Sequence, residues 1–452
     1  MVLSYQNSEI SQDISAQLIF GAGMTTGKLP VSISSNYKAG HGYVSKNLRR
    51  LSYGIPERVG LSSKKLQRVD SIAEVIIQQK MAPGAQILVA RQGQVVYHKS
   101  FGYHTAEKSK PVKNTDLYDL ASLTKILGGV PSIMKATEDQ KFNFDSNLGA
   151  LFPFLKNTDK DTITVREALS HKGRLKAWIP YYIETLDSVT KQPLKEYYSV
   201  RKSKKYGIQV AENMYLRTSF KDSIYKRIAD SPLREEAGYK YSGLIFYLFK
   251  EYIEREYGKD LQAFNQTNFY QPLGATSMTY NPLQRFNKDR IVPTEIDKYY
   301  RKQLLHGYVH DQGAAMLNGI NGNAGLFANA NDIAKMMQMY LQEGYYGGKQ
   351  YFKRETLTNF TKRHYEQDSI RRGLGFDKPQ IDPEIMATCG CVSSESFGHS
   401  GYTGTYTWAD PKSKLIYVFL SNRVYPTAAN DKLVKENMRT EVQRIVQEAL
   451  ID

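Results

Sequence analysis

The order of elements along the chain predicts an α+β fold, with an antiparallel sheet built from both ends of the sequence, flanking helices and a mainly helical lobe. Two observations carry this. A helix-and-hairpin pattern after residue 56 is answered by a hairpin-and-helix pattern after residue 404. Between them, from about residue 125 to about 300, strand signals give way to helical spacing with long loops. The 452 residues suffice for two or three domains, or for one large two-lobed enzyme.

The elements follow in order. Ile10 to Ile19 reads as a short helix, followed by a Gly-rich turn and a strand over Lys28-Leu29-Pro30-Val31-Ser32-Ile33. A polar, basic stretch then runs to about Gly54. This opening segment is too short for a core of its own and must pack on something else. Ser62 can cap a helix on which Leu66, Val69, Ile72, Val75 and Ile76 recur on one face. Ala85 to Ala90 and Gln94 to Tyr97 read as strands, joined by the turn signal Arg91-Gln92-Gly93. At the far end, Gly404 to Ala409 and Leu415 to Leu420 flank Asp410-Pro411-Lys412-Ser413-Lys414 as a second hairpin. Leu433 to Leu450 closes the chain as an amphipathic helix.

Composition excludes several function classes. No apolar run approaches the length needed to cross a bilayer, so no transmembrane segment is expected, and the first residues lack the pattern of a signal peptide. The net charge of +16 is spread widely, densest at Arg201-Lys202-Ser203-Lys204-Lys205, and no nucleic-acid-binding motif accompanies it. Nucleic acid is therefore not an expected partner. Cys389 and Cys391 are separated by one residue, an awkward spacing for a disulfide, and two thiols do not make a zinc site. With eight His and no H-E-x-x-H pattern, neither a catalytic metal nor any other cofactor is expected.

The candidate chemistry is S-x-x-K. Residues three apart share a helix face, so a Lys there can reach the Ser hydroxyl and accept its proton. Spacing alone decides nothing, because about two matches arise by chance in this length and seven occur, at Ser35, Ser62, Ser122, Ser132, Ser188, Ser199 and Ser223. Context separates them. Ser35, Ser188 and Ser199 lie in polar stretches, Ser62 is a helix cap, and Ser132 follows a proline inside a helix. Ser122 stands at a junction, after Leu117-Tyr118-Asp119-Leu120-Ala121 and before Ile126-Leu127-Gly128-Gly129-Val130. A nucleophile at a helix start gains from the backbone N–H groups there.

Leu120-Ala121-Ser122-Leu123-Thr124-Lys125 resembles the active-site signature of class C β-lactamases, D-alanyl-D-alanine carboxypeptidases and related esterases. Two further motifs stand in that family's order. Tyr241-Ser242-Gly243 resembles its Tyr-x-Asn, and His399-Ser400-Gly401 its Lys-Thr-Gly or His-x-Gly. The stretch Thr164 to His171 and Gly322-Asn323-Ala324-Gly325-Leu326-Phe327 add to the likeness. It covers about residues 56–452 and implies a β-lactamase/transpeptidase-like fold for a domain of residues 55–452.

The resemblance also implies roles. Ser122 would be the nucleophile, with Lys125 and Tyr241 sharing its proton. Backbone N–H groups of Ser122 and Tyr402 would form the oxyanion hole, and His399, Ser400, Gly401 and Tyr402 would bind substrate. His399 replaces the usual Lys and would offer a weaker, pH-dependent charge to a substrate carboxylate. That favours an esterase, amidase or peptidoglycan-peptide hydrolase over penicillin hydrolysis. The substrate would be a small molecule or a peptidoglycan fragment, and the location the periplasm or cell envelope.

Two departures stand out: Gly243 replaces the Asn or Asp of the second motif, and Arg174 stands where the family's His-x-x-Gly-Leu loop has Gly. They favour a second reading, a catalytically silent module that binds peptidoglycan or serves as a scaffold. Ala16-Gln17-Leu18-Ile19-Phe20-Gly21, followed by Gly27-Lys28-Leu29-Pro30-Val31, resembles the end of a glycoside hydrolase family 3 domain. Residues 1–54 would then be its C-terminal remnant, with a fused or adjacent glycoside hydrolase domain as partner.

Overall fold

The computed structural model describes residues 3–451. Six strands form the central sheet: β1 (Ser52–Tyr53), β2 (Gly84–Arg91), β3 (Gln94–Gly102), β4 (Phe397–Ser400), β5 (Tyr406–Asp410) and β6 (Leu415–Ser421). Their order is β1-β3-β2-β6-β5-β4, antiparallel throughout except for the short β1, which runs parallel to β3. The β2–β6 seam, from Ala85 opposite Ser421 to Arg91 opposite Leu415, joins the two ends of the sequence. The expected α+β architecture is present.

Helix α1 (Glu9–Ile19) buries none of its residues, while α2 (Arg68–Gln78), α3 (Val130–Glu138), α4 (Leu244–Tyr257), α5 (Ala330–Leu341) and α6 (Met438–Glu448) pack into the cores. Alternation along β6 divides the interior. Tyr417 and Phe419 enter one core with Val69, Ala73 and Ile76 of α2 and Val442, Ile445 and Val446 of α6. Ile416, Val418 and Leu420 enter the other, shared with α5 and the helical lobe. α4 is the axis of that lobe: Leu244 to Phe249 are all buried, and Gly258, at φ +64°, ends the helix.

Several local expectations change. No strand forms over residues 28–33; Pro30 has no N–H to donate, and Leu29 and Ile33 bond locally to His41 and Tyr37. The Ser62 cap is present, its hydroxyl accepting the Lys65 N–H at 3.3 Å, but the helix breaks at Gln67 before α2. The closing helix likewise breaks at Asn437, which adopts φ +53°. The helical lobe contains a small sheet (198–199, 208–211 and 214–216) whose strands are too short for alternation to reveal. Cys389 and Cys391 do form a disulfide, with Cα atoms 5.2 Å apart. Gly390, at φ +72°, supplies the turn that the spacing alone made awkward.

Ile416 is fully buried beneath α5, so Ile416→Ala should lower unfolding free energy by about 2–5 kcal/mol, read from urea denaturation.

Candidate active site

Ser122 sits on a turn that the chain would not adopt unaided. Ala121, just before it, has φ +45°, a left-handed conformation costing a non-glycine residue about 1–3 kcal/mol. The buried Asp119 carboxylate holds it there, accepting the Ala121 N–H at 2.8 Å and the His310 N–H at 2.7 Å. Thr403 and Thr405 donate their hydroxyls to the carbonyls of Asp119 (2.7 Å) and Leu120 (3.0 Å). Residues 118–119 also pair with the strand 326–328, so the Gly-Leu-Phe segment buttresses the turn from the other side. Beyond Ser122 the chain enters a helical turn that widens over Lys125–Gly129 before α3 begins.

Three side chains converge on one oxygen. Lys125, 2% exposed, donates Nζ to Ser122 Oγ at 2.9 Å and to the Asn323 carbonyl at 3.1 Å. Tyr241 Oη lies 3.0 Å from the same Ser122 Oγ. Among the described residues Lys125 has no carboxylate partner; its neighbours are the rings of Tyr241 and Phe246. The N–H groups of Ser122 and Tyr402 form no hydrogen bond among the described residues.

The loop 171–177 positions Tyr241. His171 accepts the Ser242 N–H at its Nδ1 (3.2 Å) and its ring packs tilted against that of Tyr241, centroids 4.8 Å apart. Lys240 and Gly243 donate their N–H groups to the carbonyls of His171 and Ala177, and the Ser242 hydroxyl donates to that of Lys176. Arg174 adopts φ +56°, the conformation a glycine would supply. Its guanidinium binds the carbonyls of Arg234 and Glu235, so a side chain at this position ties down the segment leading to Tyr241.

The third motif departs from expectation at His399. Its Nδ1 donates to the Ser400 carbonyl at 2.7 Å, while Nε2 accepts from Arg372 at 3.2 Å. That pairing requires a neutral imidazole. Burial, then the charges of Arg372 and Lys125, pushes its pKa down to about 3. The side chain is 2% exposed and presents no charge near neutral pH. The neighbouring cation is Arg372, paired with the buried Asp377, and it lies 5.2 Å from the Tyr241 ring. Burial alone would raise the Asp377 pKa, but Arg372 and Arg371 hold it below the usual carboxylate range. Gly401 packs so closely on the turn before Ser122 that a Cβ there would meet Thr405 Oγ1 and lie 2.7 Å from the Leu120 carbonyl.

Ser122 opens into a cavity of about 570 Å³ lined by Trp178, Tyr182, Tyr299, His310, Asn323 and Tyr402, among others. Glu295 organises the far wall through His310 Nε2 (2.7 Å) and the Tyr299 hydroxyl (3.0 Å). The structure thus brings Ser122, Lys125, Tyr241 and Tyr402 together and sets His399 behind them. Sequence reasoning missed Asp119, Arg372, Asp377 and the aromatic wall. They come from separate segments and carry no motif.

Comparison with known proteins bears on the family and the fold. A relative in Escherichia coli strain K12, assigned as a D-alanyl-D-alanine carboxypeptidase, is 30% identical over 412 residues, covering 84% of this chain and 87% of that protein. A Salmonella typhi protein of the same assignment is 29% identical over 407 residues, covering 85% and 88%. Among solved structures, EstCE1, a hydrolase with promiscuous acyltransferase activity, superposes with a TM-score of 0.60 at 18% identity, over 86% of this chain and 99% of that one. A penicillin-binding protein homologue from Caulobacter crescentus gives 0.55 at 17% identity, over 80% and 93%. Fold and family together define a β-lactamase/transpeptidase-like serine hydrolase. The Beta-lactamase family profile matches residues 73–437, and the chain belongs to that family.

The neutral His399 has a consequence for stability. Below the ordinary histidine pKa of 6.5 the unfolded chain takes up a proton that folded His399 refuses until about pH 3. Its stability contribution is therefore complete above pH 6.5 and lost as pH falls, at about 1.4 kcal/mol per pH unit. Urea denaturation of His399→Asn between pH 6 and 4 should show a pH slope shallower by that amount.

Proposed function

We propose that this chain performs double-displacement acyl transfer, with Ser122 as nucleophile, in the manner of class C β-lactamase-like enzymes. Ser122 Oγ attacks a carbonyl carbon as its proton passes to the Lys125–Tyr241 pair. The tetrahedral oxyanion is met by the N–H groups of Ser122 and Tyr402, and the pair returns the proton to the departing group. Water then attacks the acyl carbon and gives up a proton to the same pair, which returns it to Ser122 Oγ as the bond to the serine breaks and the acid leaves. The observation that carries this reading is the convergence of Lys125 Nζ and Tyr241 Oη on Ser122 Oγ at a cavity mouth.

The substrate class is an ester, amide or peptide carbonyl. The carboxypeptidase assignment of the relatives favours peptidoglycan-derived peptides and hence the cell envelope. The neutral His399 favours substrates that need no cation at that position. Among the described residues no helix is long and apolar enough to cross a membrane. The silent-module reading rests on Gly243 and Arg174, and Arg174 loses weight because it holds the conformation and contacts that keep Tyr241 in place. Residues 1–54 are read as the end of a neighbouring glycoside hydrolase family 3 domain. In favour is α1, which buries none of its residues here and exposes Ile10, Ile14 and Ile19.

A fluorescent serine-directed acylating probe tests the nucleophile. Wild-type protein should be labelled and Ser122→Ala should not. Tyr241→Phe should slow acylation by about 10²–10⁴-fold. Equal labelling of wild type and Ser122→Ala would refute the assignment, and no labelling of wild type would favour the silent module.

A further inference from the structure

The second motif ends in Gly243, where a side-chain amide is expected from the resemblance. A Cβ placed on Gly243 would lie 3.6 Å from Asn323 Nδ2 and 3.8 Å from Asn323 Cβ. The Asn323 side chain, arriving from a different segment, therefore stands in van der Waals contact with the position that a Cβ at 243 would take. It is 7% exposed and lines the cavity beside Ser122.

Its orientation is set by a neighbour. Asn321, fully buried, accepts the Gly322 N–H at Oδ1 (2.9 Å), so its Nδ2 is the end that donates. That Nδ2 donates to Asn323 Oδ1 at 2.7 Å. Asn323 is thereby left with Nδ2 as its other end, and among the described residues this donor makes no hydrogen bond. The Lys125 contact uses the main-chain carbonyl of Asn323, so the side chain is not needed to hold Lys125.

We propose that Asn323 binds the acyl half of the substrate, its Nδ2 donating to a carbonyl oxygen beside the one that Ser122 attacks. The residue supplies from the 322–327 segment the amide that Gly243 lacks. It follows that the preferred acyl groups carry an amide or peptide carbonyl, as N-acylated aminoacyl groups do, and that plain alkyl acyl groups leave the donor unused. The inference rests on the Ser122 reading and narrows its substrate class.

The test compares two esters with one chromogenic leaving group, an N-acetyl-D-alanyl ester and a butyryl ester. Wild type should prefer the first. Asn323→Ala should lower kcat/KM for the N-acetyl-D-alanyl ester by about 10–100-fold, the range expected when one hydrogen bond to a buried polar group is lost. The butyryl ester should change by less than about threefold, which also shows that the altered protein is folded and competent. The double variant Asn323→Ala/Gly243→Asn, whose new side chain enters the vacated space, should regain much of the preference. Equal loss on both esters, or no loss on either, would overturn the proposal. Probe labelling separates this from failure of the underlying reading. If labelling still depends on Ser122 but the selective loss is absent, only the role of Asn323 fails; if labelling ignores Ser122, the reading beneath it fails.

Discussion

Ser122 can face the cavity only because Ala121 is held in a left-handed conformation, and the buried carboxylate of Asp119 is what holds it. The same carboxylate fixes the main chain at His310, and two threonine hydroxyls from the 401–405 loop bond to the carbonyls on either side. One small cluster therefore ties together the Ala121–Ser122 turn, the far cavity wall and the loop that carries Tyr402. Removing the carboxylate would orphan two buried N–H groups and release a strained turn together. The relative positions of the Ser122 and Tyr402 N–H groups depend on this arrangement, as does the clearance that only glycine allows at 401.

The electrostatics of the site follow from which groups are charged and which are kept neutral. Arg372 is the fixed cation, and its guanidinium and Lys125 Nζ lie over the Tyr241 ring at 5.2 and 5.1 Å. His171 and His399 are buried beside them, and burial together with those charges keeps both imidazoles neutral. Asp377 balances Arg372 and Arg371. A third-motif histidine is thus not a weakened lysine here. It is a neutral spacer whose two nitrogens are both engaged, and the charge stands one residue further back.

Much of this was legible in the sequence, because the informative features are local. Ser122 and Lys125 share a turn, Tyr241 precedes a long apolar helix, and His399-Ser400-Gly401 precedes a hairpin; each announces itself over a few residues. The two-ended sheet was also legible, since strands of five to eight residues such as β2, β5 and β6 give clear apolar runs. What escaped depends on contacts between distant segments. Asp119 looks like any strand-end acid until His310 and Thr403 arrive. Arg372 is one of many arginines until His399 stands 3.2 Å away. Asn323 lies within a recognised motif, yet its meaning appears only when Gly243 is placed beside it. The breaks at Gln67 and Asn437 escaped for a different reason: helical periodicity continues across them.

Passage of the acyl group through one serine is tested by quenching turnover of a slow ester with acid and mapping the acylated peptide by mass spectrometry. An adduct equal to the acyl mass is expected on Ser122 itself, accumulating and decaying within the course of turnover. Turnover with the adduct on another residue, or with no adduct while Ser122→Ala turns over as fast as wild type, would contradict it.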